Sequence, residues 1–152
     1  LFGVMPEKVT AMGSSYLQKK IADVTTTHLE FPGGKNAHIY VSWLHPFKEQ
    51  KLVVIGNKGM AVFDDGKDWS QKISFYAHEI EWSNDLPIPK PAIGENIILK
   101  KDEPLRLEAK HFIESVTNRT KPRTDGMEGK KVLHVLDAAE RSMHLKTTVK
   151  IC

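Results

Sequence analysis

The chain holds a single cysteine in 152 residues, Cys152 at its last position. That excludes an internal disulfide framework and fits a reducing, cytoplasmic compartment. No apolar run reaches transmembrane length and no basic-then-apolar leader opens the sequence, so neither a membrane nor export is expected. A long basic tract is lacking as well. The net charge of +3 is spread, with Lys and Arg alternating with Asp and Glu, which argues against nucleic acid as a partner. No nucleophile sits beside a base, no glycine loop would cradle a phosphate, and no metal-ligand spacing recurs. What remains is ordinary for a folded protein: 40% hydrophobic and 27% charged residues with a mean hydropathy of −0.36. A chain of this length buries about 70% of its unfolded surface as one domain, and a single domain over residues 1–152 is the expectation.

The organising stretch is Val41 to Asp65, VSWLHPFKEQKLVVIGNKGMAVFDD. Leu52 to Ile55 and Met60 to Phe63 read as two strands joined through Gly56-Asn57-Lys58-Gly59. Asn57 tolerates positive φ, so a tight hairpin is predicted, with Ile55 opposite Met60 and Val53 opposite Val62. Upstream, Lys8 to Leu17, Ile21 to Phe31 and Asn36 to Leu44 read as strands. A three-residue loop at Pro32-Gly33-Gly34 would set Leu29 against Ala37, Thr27 against Ile39 and Thr25 against Val41. One face then gathers Leu29, Ala37, Ile39, Val41 and Trp43 as a core. The other pairs His28 with His38 and Thr26 with Tyr40, the mixed character of a face that meets another subunit or part-solvated neighbours.

Lys72 to Ile80 reads as a further strand, Trp82 to Gly94 with its three prolines as an extended connector, and Ile97 to Leu99 as a short strand. Two helices follow. Asp102 caps the first, with Leu105, Ala109, Phe112, Ile113 and Val116 on one stripe; Asp125 and Glu128 offer a capping box to the second, with Val132, Leu133, Leu136, Ala139 and Met143 on its apolar face. Strands first and helices last give an α+β fold, a largely antiparallel open-faced sheet with helices packed on one face.

The candidate chemistry is sparse. His28, His38 and His45 suggest a metal, but no cysteine or further histidine completes a ligand set, so no metal site is expected. In His45-Pro46-Phe47-Lys48, His45 and Lys48 can reach an anionic substrate and Trp43 can flank a sugar or base; a solvated turn with a core tryptophan explains the same residues. Asp64, Asp65 and Asp68 read as solvent-facing turn acids.

The blocks SWLHPFKEQKLVVIGNKGMAVFDD, EPLRLEAKHFIESV and KPRTDGMEGKKVLHVLDAAERSM, in that order, resemble the C-terminal domain of the Gfo/Idh/MocA family of NAD(P)-dependent oxidoreductases. The wording looks most like the branch that oxidises UDP-N-acetylated sugars at the 3-position. The resemblance implies a parent enzyme that binds NAD or NADP in an N-terminal Rossmann domain and acts on a sugar or nucleotide sugar. It also implies a C-terminal open sheet that shapes the substrate pocket and makes a homo-oligomer. Trp43, His45 and Lys48 are then the substrate-side candidates, and Thr26, His28, His38 and Tyr40 the oligomer face. The chain departs from the complete enzyme: it has no GxGxxG unit, and Glu7-Lys8 is followed by Val9 rather than by the proline of the family's Glu-Lys-Pro motif. No catalytic or cofactor-binding residue can therefore be placed, and no cofactor is expected on these residues alone. Leu1-Phe2-Gly3 reads as the end of a helix whose body is missing, which points to a removed N-terminal portion. The alternatives are a free-standing α+β binding or assembly module and a small enzyme with its own pocket at His45 and Lys48.

Overall fold

The computed structural model describes residues 1–151; Cys152 lies outside them. The chain divides into two compact units, one built from Leu1–Leu44 with the segment from Lys110 onward, the other from His45–Ala109. Every strand pairing is antiparallel and two helices are present, so the fold is α+β.

In the first unit, β1 (Lys8–Ser14), β2 (Val24–Glu30) and β3 (Asn36–Ser42) form a meander. The β2–β3 register is the one expected, Leu29 opposite Ala37, Thr27 opposite Ile39, His28 opposite His38 and Thr26 opposite Tyr40. Pro32, Gly33 and Gly34 close the turn, with both glycines at φ 74, where a side chain would be strained. A fourth strand that the sequence reading missed, β10 (Val149–Lys150), adds to the free edge of β1 and pairs Val9 with Val149. The sheet order is thus β10-β1-β2-β3.

The helix α2 (Gly126–Leu145) packs on this sheet. The core is Val9, Leu29, Ala138 and Val149, flanked by Phe31, Ala37, Val135, Ala139 and Ile151. Here the structure corrects two expectations. The face of α2 turned to the sheet carries Ala138 and Ser142, whereas Val132, Leu133 and Leu136 are exposed. Small residues sit at the contact because they let the helix approach the sheet closely. The predicted core face is also buried only at its Leu29 and Ala37 end, with Ile39, Val41 and Trp43 exposed. One helix about 10 Å wide covers roughly two strand spacings, and α2 spends that width on β10 and β1.

Ser142 locks the arrangement and is fully buried. Continuing the β1–β10 register past Val9 and Val149 would bring Ala11 opposite Thr147. The chain has left the strand there, and the Ser142 hydroxyl fills the rung: it accepts from the Ala11 N–H at 2.9 Å and donates to the Thr147 carbonyl at 2.6 Å. Lys146, in the left-handed conformation at φ 52, ends the helix and donates its N–H to the Ser142 carbonyl. At the other end of the helix Asp125 accepts from the Glu128 N–H at 3.0 Å, while the Glu128 carboxylate turns to Lys131, so only half of the capping box forms.

In the second unit β4 (Lys51–Ile55), β5 (Gly59–Asp64), β6 (Ile73–Ala77) and β9 (Glu95–Ile97) form a sheet in the order β4-β5-β6-β9. The Ile55–Met60 and Val53–Val62 pairs are as predicted. The turn differs: Asn57 does not take positive φ, and Gly56 and Gly59 are joined by a 2.9 Å backbone bond. Gly59 serves close approach instead, since a Cβ there would lie 2.5 Å from the Phe75 ring and 2.7 Å from the Tyr76 carbonyl oxygen. The proline-rich connector holds a second hairpin, β7 (Ile80–Ser83) and β8 (Leu86–Pro89). Asn84 and Asp85 at φ 49 and 61 make its two-residue turn, the chemistry of a type I′ hairpin.

The helix α1 (Pro104–Asn118) begins beside Asp102, whose carboxylate accepts from the Glu103 N–H and from Arg106. It buries Ser115, while Leu105, Phe112, Ile113 and Val116, the expected core stripe, are exposed.

Replacing Ser142 by Ala leaves the Ala11 N–H and the Thr147 carbonyl without their bridge. We expect a loss of about 1–3 kcal/mol, read as a lower urea midpoint for the first unit's transition. An unchanged midpoint would remove the hydroxyl from its bridging role.

Candidate functional site

Strand alternation gives the first sheet two unlike sides. Val9, Ala11, Leu29 and Ala37 face α2; Thr10, Met12, Thr26, His28, Glu30, His38 and Tyr40 lie on the opposite side. All four residues expected on an oligomer face therefore fall together there, on adjacent strands. The face is a chequer of cross-strand rows. Met12, Thr26 and Tyr40 form one row, with Met12 and Tyr40 69% and 58% exposed. Thr10, His28 and His38 form the next, in which the Thr10 and Thr148 hydroxyls meet at 2.8 Å and the two imidazoles approach with Nδ1 atoms 3.3 Å apart. The third row ends in a Lys8–Glu30 ion pair at 2.8 Å. That hydrogen bond holds the Glu30 carboxyl below its usual range and raises the Lys8 ammonium.

The loop between β1 and β2 is closed by Asp23, a buried carboxylate that accepts from the Tyr16 and Leu17 N–H groups at 2.5 and 2.7 Å. These backbone donors, with Leu17 the strongest, hold its carboxyl below the ordinary value. Its carbonyl in turn accepts from the Trp43 N–H at 2.8 Å, which fixes the backbone under an indole that is 83% exposed.

Trp43 belongs to the first unit and His45 and Lys48 to the second. The His45 ring lies 3.6 Å from the Glu49 carboxylate and 5.6 Å from the Phe47 ring. Lys48 pairs with Asp65 at 3.2 Å. Asp65 also binds Lys72 at 2.5 Å, and the Lys72 ammonium, bonded to the Asp65 carbonyl as well, sits 5.2 Å from the Trp69 ring. Asp65 is thus a half-buried anchor rather than a solvent-facing turn acid, its carboxyl lowered first by Lys72 and then by Lys48. Nothing local in Asp64-Asp65-Gly66 marks this role, because Lys72 reaches Asp65 only once the turn has formed.

Among the described residues no group of three or more His, Cys, Asp or Glu side chains could hold a metal ion, and no helix is long and apolar enough to cross a membrane. The described residues do not fit a nicotinamide dinucleotide either. Every strand pair is antiparallel, so no strand–helix–parallel-strand unit is present among the described residues.

Residues 1–62 match the family model described as the GFO/IDH/MocA C-terminal domain. Solved structures extend the likeness of fold to nearly the whole chain. UDP-N-acetylglucosamine 3-dehydrogenase GnnA from Acidithiobacillus ferrooxidans aligns with a TM-score of 0.78 at 18% identity, over 94% of this chain and 42% of that one. Aldose-aldose oxidoreductase from Caulobacter crescentus, complexed with glycerol, aligns at 0.69 and 21% identity, over 96% and 41%. The WlbA dehydrogenase from Bordetella pertussis, in complex with NADH and UDP-GlcNAcA, aligns at 0.66 and 18%, over 97% and 39%. The chain therefore spans about two fifths of the length of these oxidoreductases. No curated protein sequence matches it. The resemblance read from the sequence stands, in the family model over the first 62 residues and in fold over the chain.

The Asp65 cluster carries a pH signature. Its folded carboxyl lies below the ordinary value of about 3.9, so the cluster stabilises fully above that value and the contribution is lost as pH falls below it and through the lower folded value. Unfolding free energies of the wild type and of Asp65→Asn, measured in urea from neutral pH downward, should converge as Asp65 protonates. A gap that persists in acid would contradict the assignment.

Proposed function

We propose that this chain is the C-terminal, substrate-side and oligomerisation module of a cytoplasmic NAD(P)-dependent oxidoreductase acting on a sugar or nucleotide sugar. The observation that carries the reading is a coincidence of place. The residues matching the family model include all three strands β1, β2 and β3, and it is these strands that present a mixed polar and aromatic face without a helix on it. Such a face, with exposed Met12 and Tyr40 among threonine and histidine, has the composition of a subunit interface. Names of structures sharing the fold support the substrate class: one is a UDP-N-acetylglucosamine 3-dehydrogenase and another an aldose-aldose oxidoreductase.

In this reading the module supplies shape and contacts, and the groups that hold the nicotinamide and move the proton lie outside these 152 residues. Trp43 offers an indole face to a sugar ring, and His45 and Lys48 offer donors to hydroxyl or phosphate oxygens. Taken alone the module is inactive.

The reading frame upstream of the Leu1 codon tests the parent enzyme. It should encode a strand-turn-helix with GxGxxG and a Glu-Lys-Pro motif; an in-frame stop immediately before Leu1 would leave a free-standing binding module instead. The interface is tested by sedimentation. The chain should self-associate at micromolar concentration, and Tyr40→Ala should weaken association by about tenfold or more, the effect of truncating an interface aromatic. A strictly monomeric wild-type chain at high micromolar concentration counts against it.

A further inference from the structure

The cross-strand histidine pair has a geometry that subunit contact does not require. His28 and His38 occupy directly opposed positions on β2 and β3, and their rings converge through the same nitrogen, Nδ1 to Nδ1 at 3.3 Å, with centroids 4.6 Å apart and planes tilted by 40°. At that distance either one imidazole carries its proton on Nδ1 and donates it to the other in an ordinary hydrogen bond, or both present lone pairs and a metal ion stands between them. A tetrahedral ion bound at about 2.0–2.1 Å to each of two imidazoles sets their nitrogens about 3.3–3.4 Å apart, which matches the observed separation.

We propose that His28 and His38 form a two-ligand site for a borderline divalent transition metal of the zinc type, on the open face of the first sheet. The remaining two coordination positions are left to water or to a group brought in by whatever covers the face. The pair is well placed for this. Both histidines sit inside paired strands whose register is fixed by four rungs on one side and two on the other, so the ligands are held before the ion arrives. His28 is half-buried, which restricts its ring, and His38 is exposed, which gives an ion access. Of the charged side chains on the same face, Lys8 is drawn to the Glu30 carboxylate at 2.8 Å. The titratable residues in the neighbouring rows are Lys150, Lys8 and Glu30 on one side and Tyr40 on the other. Both ligands come from one chain, so the site stands whether or not the face self-associates.

The test is calorimetric titration with ZnCl₂ at neutral pH, in a Cys152→Ser background so that no thiolate competes. Tyr40→Ala is titrated in parallel, to hold the face open if copies of the chain cover it. One ion should bind per chain in at least one of these two proteins. Binding should be lost in His28→Ala and in His38→Ala, retained in His134→Ala, and lost on acidification to about pH 5, since an imidazole must shed its proton to ligate. Far-ultraviolet circular dichroism of the histidine variants checks that the sheet is intact. Absence of binding in both the wild type and Tyr40→Ala overturns the proposal and leaves a proton-sharing pair. Undiminished binding in the His28 and His38 variants overturns it equally. Neither result bears on self-association, which sedimentation without metal reads separately.

Discussion

The first unit depends on a single hydroxyl that stands in for a strand. β10 is only two residues long, and β1 runs on past it, so the buried N–H of Ala11 would meet nothing. Ser142 relays that hydrogen bond from Ala11 to Thr147 and, being on α2, ties helix, sheet and terminal turn at one point. An unmet buried backbone group costs as much as several apolar contacts return, so a serine is the residue this contact calls for. The neighbours are small for the same reason. A Cβ on Gly13 would lie 2.8 Å from the sulfur of Met143, the residue after Ser142. Close helix-to-sheet approach and the hydroxyl bridge are two aspects of one constraint.

That constraint explains which parts of the fold were legible in the sequence. Period-two patterning fixed β2 and β3 with their register, because Leu29 and Ala37 on one side and His28 and His38 on the other leave one consistent pairing across Pro32-Gly33-Gly34. It also fixed the β4–β5 hairpin. The helix faces are not legible from apolar size, which is a poor guide to burial here. On α2 the buried positions are Ala138 and Ser142, and the larger Val132, Leu133 and Leu136 are exposed. β10 was missed because two residues carry no periodicity. The β7–β8 hairpin was hidden by its prolines, although Asn84-Asp85, both tolerant of the left-handed region, was the signal that could have revealed it.

The candidate site was legible in the same uneven way. The grouping of Thr26, His28, His38 and Tyr40 followed from register alone, whereas the approach of the two Nδ1 atoms depends on side-chain rotation and could not be read from spacing. Lys48 was singled out as a potential donor to substrate, yet its strongest visible relation is to Asp65 and, through it, to Lys72 and Trp69. A lysine engaged in this way is held near its carboxylate rather than left to sample solvent.

The two units also differ in when they can exist. Residues 45–109 are continuous, and the second unit's strands can pair as soon as that stretch has been made. The first unit must wait, since the Ala11 to Ser142 bond joins positions 131 residues apart and Val9 finds Val149 later still. During synthesis β1, β2 and β3 therefore emerge before the second unit but remain without their helix and edge strand until Val149 and Lys150 have left the ribosome. Of the two units, the one begun earlier is the one sealed later, and it is the one that carries the open face.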